Sequence, residues 1–79
     1  MKVDILDIGS GNISSIKNWI EQANVPARVV NKAENIDSDL LILPGVGSAG
    51  SYMERILAGG YDVAIKKHLL NGGRLLGVC

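Results

Sequence analysis

Four short apolar runs, separated by helical stretches and glycine-bearing turns, constrain this chain more than any other feature. Lys2 to Ile8, Ala27 to Asn31, Asp39 to Leu43 and Arg74 to Val78 each read as a strand. Between the first two, Ile13, Ile16, Ile20 and Ala23 recur at helical spacing, with Trp19 beside them and Lys17, Asn18, Glu21 and Gln22 on the polar face. Asn12 is the expected N-cap, its short side chain accepting from the free N–H groups of the first turn. Asn24-Val25-Pro26 ends that helix, because proline disfavours helical geometry in the residue before it. Lys32 to Ser38 is polar and reads as a loop or a fragment of helix. Ser51 to Ala58 and Asp62 to Leu70 read as two helices broken at Gly59-Gly60, and Asn71-Gly72-Gly73 stops the second. The third strand, Leu40-Leu41-Ile42-Leu43 at its centre, is apolar on both faces, as a strand between two helix layers must be. This alternation predicts an α/β fold built on a parallel sheet with helices on both faces. There is no internal repeat, low-complexity tract or linker.

Composition narrows the function classes. Eight Lys and Arg stand against eight Asp and Glu in 79 residues, for a net charge of zero. Phosphate binding needs a surplus of basic residues, so neither nucleic acid nor an anionic membrane is an expected partner. No apolar run approaches the roughly 20 residues of a membrane span, and Asp4 and Asp7 within the first run do not fit a signal peptide. The one cysteine, Cys79, excludes an internal disulfide and leaves zinc without a cysteine cluster. No metal and no cofactor is expected, and the cytoplasm is the expected compartment. A chain this short buries little surface per residue. Its last apolar strand would also lack a following helix to cover it. The expectation is therefore a flavodoxin-like three-layer sandwich, incomplete, with residues 1–79 as the amino-terminal portion of a single larger domain.

In open parallel sheets, ligands bind outside the carboxyl ends of the strands. Three features fall there: Gly9-Ser10-Gly11-Asn12, Pro44 to Gly50, and Cys79. A cysteine leaving a buried, central parallel strand after Gly77-Val78 stands where a nucleophile elbow places its nucleophile, and a helix N-terminus beyond it would favour the thiolate; a buried packing cysteine is the plain alternative. The glycines of Pro44-Gly45-Val46-Gly47 let backbone N–H groups turn into a cleft, as an oxyanion hole requires; otherwise this is an ordinary strand-to-helix loop. Gly9-Ser10-Gly11-Asn12-Ile13-Ser14 approaches a dinucleotide fingerprint, but Ser14 replaces its third glycine. The second strand also ends in Asn31-Lys32 without an acid for a ribose, Glu34 coming slightly late. Asp7 stands ready either to accept N–H groups of the neighbouring loop or simply to cap the strand end. His68 lies near the end of a helix returning to the amino edge, roughly 16 Å from the other edge at about 3.3 Å per strand residue. It reads as a solvated helix-end histidine and not as a base for Cys79. Trp19 reads as core or as partner-facing surface.

With these residues placed, the chain resembles the class I (triad) glutamine amidotransferases, and among them the glutaminase subunits of imidazole glycerol phosphate synthases. Asp7-Ile8-Gly9-Ser10-Gly11-Asn12, Leu43-Pro44-Gly45-Val46-Gly47 and Leu76-Gly77-Val78-Cys79 carry the resemblance, in matching order and spacing over essentially the whole chain. The Pro-Gly-Val-Gly loop is fairly specific to that subunit; the Gly-x-Cys ending is shared by the wider class. Ile8 departs from the pattern, since the family usually carries an aromatic there.

The resemblance implies that Cys79 is the nucleophile, attacking the side-chain amide of glutamine to form a thioester and release ammonia to a cyclase (synthase) subunit of histidine biosynthesis. It implies that Val46, flanked by Gly45 and Gly47, offers a backbone N–H to the oxyanion. It places Gly9, Gly11 and Asn12 in a loop close to the site and to the synthase partner. A paralogous amidotransferase for another product, such as an aminated surface sugar, is the near alternative. A non-enzymatic flavodoxin-like nucleotide-binding module is the distant one. The family's catalytic His and Glu, and its second oxyanion donor after the cysteine, match nothing in these 79 residues. The purified 79-residue chain is therefore expected to form no glutamate from glutamine; measurable turnover by material of confirmed mass would overturn this.

Overall fold

The computed structural model describes residues 1–9, 13–45 and 49–78, and of residues 49–51 the backbone alone. In chain order the elements are β1 (Val3–Leu6), α1 (Ile13–Gln22), β2 (Ala27–Val30), a 3-10 turn (Ala33–Asn35), β3 (Leu40–Pro44), α2 (Ala49–Ala58), α3 (Tyr61–Leu70) and β4 (Arg74–Val78). The strands form one sheet in the order β2-β1-β3-β4, and every pairing is parallel. The strands, the amphipathic first helix and the two helices before β4 thus stand where the periodicity places them, within a residue or two. The expected N-cap, Asn12, lies outside the described residues.

Side chains alternate across a strand, so the apolar strands feed two cores. On one face Val3, Ile5, Ala27 and Ile42 are buried against Ile13, Ile16 and Ile20 of α1. On the other, Leu6 and Leu41 are buried with Ile56 of α2 and Tyr61 of α3, and Ile8, Ile36, Leu43 and Ile65 close around them. Helices thus cover both faces, and the α/β, flavodoxin-like architecture is the observed one, in part. None of the described helices is long and apolar enough to cross a membrane. Asn24, at φ +61°, takes the left-handed turn that releases the chain from α1.

One charged side chain sits inside. Asp4 of β1 is completely buried, on the Leu6 face of the strand. Its register partner in β2 is Arg28, which donates from Nε to Oδ1 at 2.9 Å and from Nη2 to Oδ2 at 3.2 Å. The Asp37 backbone N–H adds a third bond to Oδ2 at 2.8 Å, and Arg28 also donates to the Asn35 carbonyl at 3.1 Å. The hydrogen bond and charge of Asp4 hold the Arg28 guanidinium above its ordinary pKa. A buried carboxylate is tolerated only when paired and hydrogen-bonded, and here its partners tie β1, β2 and the turn before β3 together.

Two expectations need correction. His68 is not solvated: it is buried, its Nε2 donates to the Arg74 carbonyl at 2.7 Å, and its ring lies against Gly73. The chain doubles back so tightly from α3 into β4 that the last helical turn packs on the strand's entry. β4, although apolar, is not a buried central strand. It pairs only with β3 among the described strands, and Arg74 to Gly77 are exposed.

A Cβ on Gly73 would run into the His68 ring. Gly73→Ala is expected to cost about 1–3 kcal/mol by overpacking, and less in a His68→Ala background. Chemical denaturation of the two single variants and the double variant measures both.

Candidate functional site

The parallel sheet sets the frame. β3 ends at Pro44, β4 at Val78, and these two residues are register partners. The chain entering Gly45 and the chain entering Cys79 therefore leave the sheet from neighbouring strands, about 4.8 Å apart. β1 pairs with β3 through Ile5 and Ile42, and two residues further on the same register puts Asp7 level with Pro44. Asp7, Pro44 and Val78 thus form a row along one edge. Of the residues picked out from the sequence, Gly9 and Gly45 lie at this edge; Gly11, Asn12, Val46, Gly47 and Cys79 lie outside the described residues. His68 does not join them. It sits at the entry of β4, four strand steps or roughly 13 Å from the Val78 end.

The turn after β1 is held from several directions. The Asp7 N–H donates to the Val30 carbonyl at 2.8 Å, fixing the strand's exit to the end of β2. The Asp7 carboxylate in turn accepts the Gly9 N–H at 2.9 Å, the loop-orienting role open to it from sequence. Gly9 has φ +83°, a conformation in which its lack of a Cβ matters. Arg55 of α2 then reaches across: its Nη1 donates to the carbonyls of Ile8 at 3.2 Å and Gly9 at 3.1 Å.

Sequence reasoning passed over Arg55. An arginine in the last turn of a helix is explained well enough by the helix dipole, and nothing in the spacing links it to a loop 46 residues earlier. Tyr52, on the same helix, packs on the Leu6 and Leu41 core. Burial pushes its hydroxyl pKa up, so it stays protonated at neutral pH and supplies no base.

Two hollows among the described residues lie away from this edge. The larger, about 520 Å³, lies between the 3-10 turn and α3 and is lined by Ser38, Lys67, His68 and Gly73, near the amino edge. Its size does not make it the reaction site, because Gly9, Gly45 and the end of β4 are at the opposite edge. The second, about 310 Å³, is almost wholly apolar and lies between α1 and the sheet, against Trp19, Ile20, Val3, Ile42 and Leu76. Trp19 is surface and not core: it is 66% exposed on the rim of that hollow. No group of three or more His, Cys, Asp or Glu able to hold a metal ion occurs among the described residues.

No protein-family model matches the chain. Curated relatives do. The imidazole glycerol phosphate synthase subunit HisH of Chlorobaculum tepidum is 36% identical over 78 residues, covering 98% of this chain and 39% of that protein. The subunit HisH of Bacillus subtilis is 36% identical over 78 residues, covering 98% and 37%. The imidazole glycerol phosphate synthase hisHF of Emericella nidulans is 33% identical over 78 residues, covering 98% of this chain and 14% of its own length. The chain spans about two-fifths of the length of the HisH relatives it matches. The resemblance read from the motifs therefore holds across nearly the whole chain, which is similar to the amino-terminal portion of HisH.

A Cβ added at Gly9 would find its nearest neighbour, Arg55 Nη1, at 3.5 Å, so space is not limiting and the positive φ is. Gly9→Ala and Gly9→Ser are each expected to cost about 1 kcal/mol. Equal shifts of the two in denaturant midpoint would separate backbone strain from crowding.

Proposed function

We propose that residues 1–79 form the nucleophile-bearing amino-terminal portion of one glutamine amidotransferase domain, and that the whole protein is a cytoplasmic glutaminase supplying ammonia to a cyclase subunit in histidine biosynthesis. The observation that supports this best is the register of β3 on β4. It sends the chain into the Gly45–Gly47 loop and into Cys79 from paired positions, Pro44 and Val78, on one edge of the sheet. Nucleophile and oxyanion donor must lie within a few ångströms of one substrate carbon, and adjacent parallel strands meet that demand. The names of the relatives, subunit HisH and the hisHF protein, fit a glutaminase working with a synthase partner.

The chemistry divides among few groups. The Cys79 thiolate attacks the side-chain carbonyl carbon of glutamine, and the carbonyl electrons move onto oxygen. A backbone N–H at Val46 holds that oxyanion; a preorganised donor of this kind is worth about 3–4 kcal/mol. Collapse of the adduct breaks the C–N bond, the nitrogen takes a proton and leaves as ammonia, and a thioester remains. Water then adds to the thioester and expels the thiolate as glutamate forms. A thiol of ordinary pKa, about 8.5, needs a base or a dipole to reach the reactive form. By resemblance that base is a histidine held by a glutamate, from the part of the domain beyond residue 79.

The surface of the fold supports the single-domain reading. Leu75 and Leu76 of β4 are 40% and 44% exposed, and the apolar hollow beside Trp19 lies on the face that α1 covers only in part. Further chain packed there would bury Leu76, and chain on the opposite face beside β4 would bury Leu75. Ile8, half-buried against the Leu6 core, stands where the family usually has an aromatic. It favours, as second reading, a paralogous amidotransferase serving another acceptor.

The test uses the intact protein. An electrophilic glutamine analogue is expected to label Cys79, and Cys79→Ala to lose glutamine hydrolysis by about 10³-fold or more while its synthase still turns over with free ammonia. An unlabelled wild-type protein, or hydrolysis surviving in Cys79→Ala, would remove the proposal. Identifying the synthase that co-purifies separates the histidine pathway from the paralogous reading.

A further inference from the structure

We infer that Arg55 is a positioning residue for the glutamine site, tying the backbone after β1 to the helix that follows the Gly45–Gly47 loop. The inference rests on the amidotransferase reading and adds to it a group that touches no substrate. Three observations carry it. One guanidinium nitrogen, Nη1, donates to two successive carbonyls, Ile8 at 3.2 Å and Gly9 at 3.1 Å. Those carbonyls belong to a turn whose next N–H is already held by Asp7 at 2.9 Å, so the Gly9 peptide is fixed on both its donor and acceptor sides. Finally, among the described residues no carboxylate forms an ion pair with Arg55, whereas the chain's other described arginine–backbone contact, at Arg28, accompanies such a pair.

The mechanical consequence follows from where Arg55 sits. α2 begins at Ala49 and ends at Ala58, so its first turn continues directly from the loop after β3. A ten-residue helix moves as a rod. A hydrogen bond from that rod to Ile8 and Gly9 holds the turn after β1 and the helix that follows β3 in one relative position. Reacting groups lose rate steeply when displaced by about an ångström. Charge at the end of α2 would also favour the helix dipole, but a lysine satisfies that equally well. Both bonds come from one terminal nitrogen, which in arginine lies one bond further from Cα than the lysine ammonium does, so lysine reaches the two carbonyls less well.

The experiment is steady-state glutamine hydrolysis by the intact protein with its synthase, for wild type, Arg55→Met and Arg55→Lys, with hydrogen exchange at the Gly9 amide read in parallel. A positioning role predicts kcat about tenfold lower in Arg55→Met with KM for glutamine changed less than about twofold, an intermediate kcat in Arg55→Lys, and faster Gly9 exchange in step with the loss. If Arg55→Met does not fold, Arg55→Lys alone carries the comparison. Wild-type kcat in a folded variant overturns the inference, whatever Gly9 does. So does a fall in kcat without faster exchange at Gly9, or full recovery by lysine. A wild-type protein that hydrolyses no glutamine overturns the amidotransferase reading and this role together, whereas an active wild type with indifferent variants overturns this role alone.

Discussion

Because all four strands run the same way, each must be re-entered from the edge opposite the one it leaves, and every exit accumulates on a single edge. That constraint follows from parallel pairing alone, and it organises the molecule. Helices and turns carry the returns, the two hydrophobic faces hold those returns down, and the exits after β1, β3 and β4 are left side by side. Chemistry that needs groups from distant stretches of sequence finds them assembled without any further folding event. Residues 37 positions apart, such as Val3 and Leu40, become register partners at the other edge, where the structural contacts gather.

The division of labour between the two edges is visible in the polar groups. Towards the amino edge, Asp39 accepts the Lys2 N–H on its side chain at 2.7 Å, while the Asp39 carbonyl accepts the Arg74 N–H at 2.8 Å. His68 closes on the Arg74 carbonyl, and the buried Asp4 carboxylate gathers Arg28 and the Asp37 N–H. These bonds join consecutive pieces of chain and determine where β3 and β4 begin. At the carboxyl edge the described bonds are different in kind. They hold turn backbone, not strand starts: Asp7 to Gly9, and Arg55 to Ile8 and Gly9. One edge fixes the scaffold, and the other presents loops.

Much of this was legible in the residues. Apolar runs bounded by glycine and proline mark strands reliably, and the i, i+3, i+4 spacing of α1 also shows which side faces the sheet. What escaped was position within the sheet. Leu75 and Leu76 look as buried as Leu41 and Ile42 because composition records apolarity and not the number of neighbouring strands. His68 looked solvated because helix ends usually are; only the close return through Gly73 buries it. Asp4 and Arg55 were invisible for another reason: each acts on partners many residues away, so no local pattern announces it. The candidate site is read through glycines and one cysteine, whose meaning is local, whereas Arg55 bonds a turn 46 residues earlier and gives no local signal.

The exposure of β4 carries a further consequence. Among the described strands β4 is paired on one side only, and its Leu75 and Leu76 stand half in water. Such a border is a template for any extended segment that meets it. Any segment that pairs with that border and covers those leucines guards the strand against adventitious pairing.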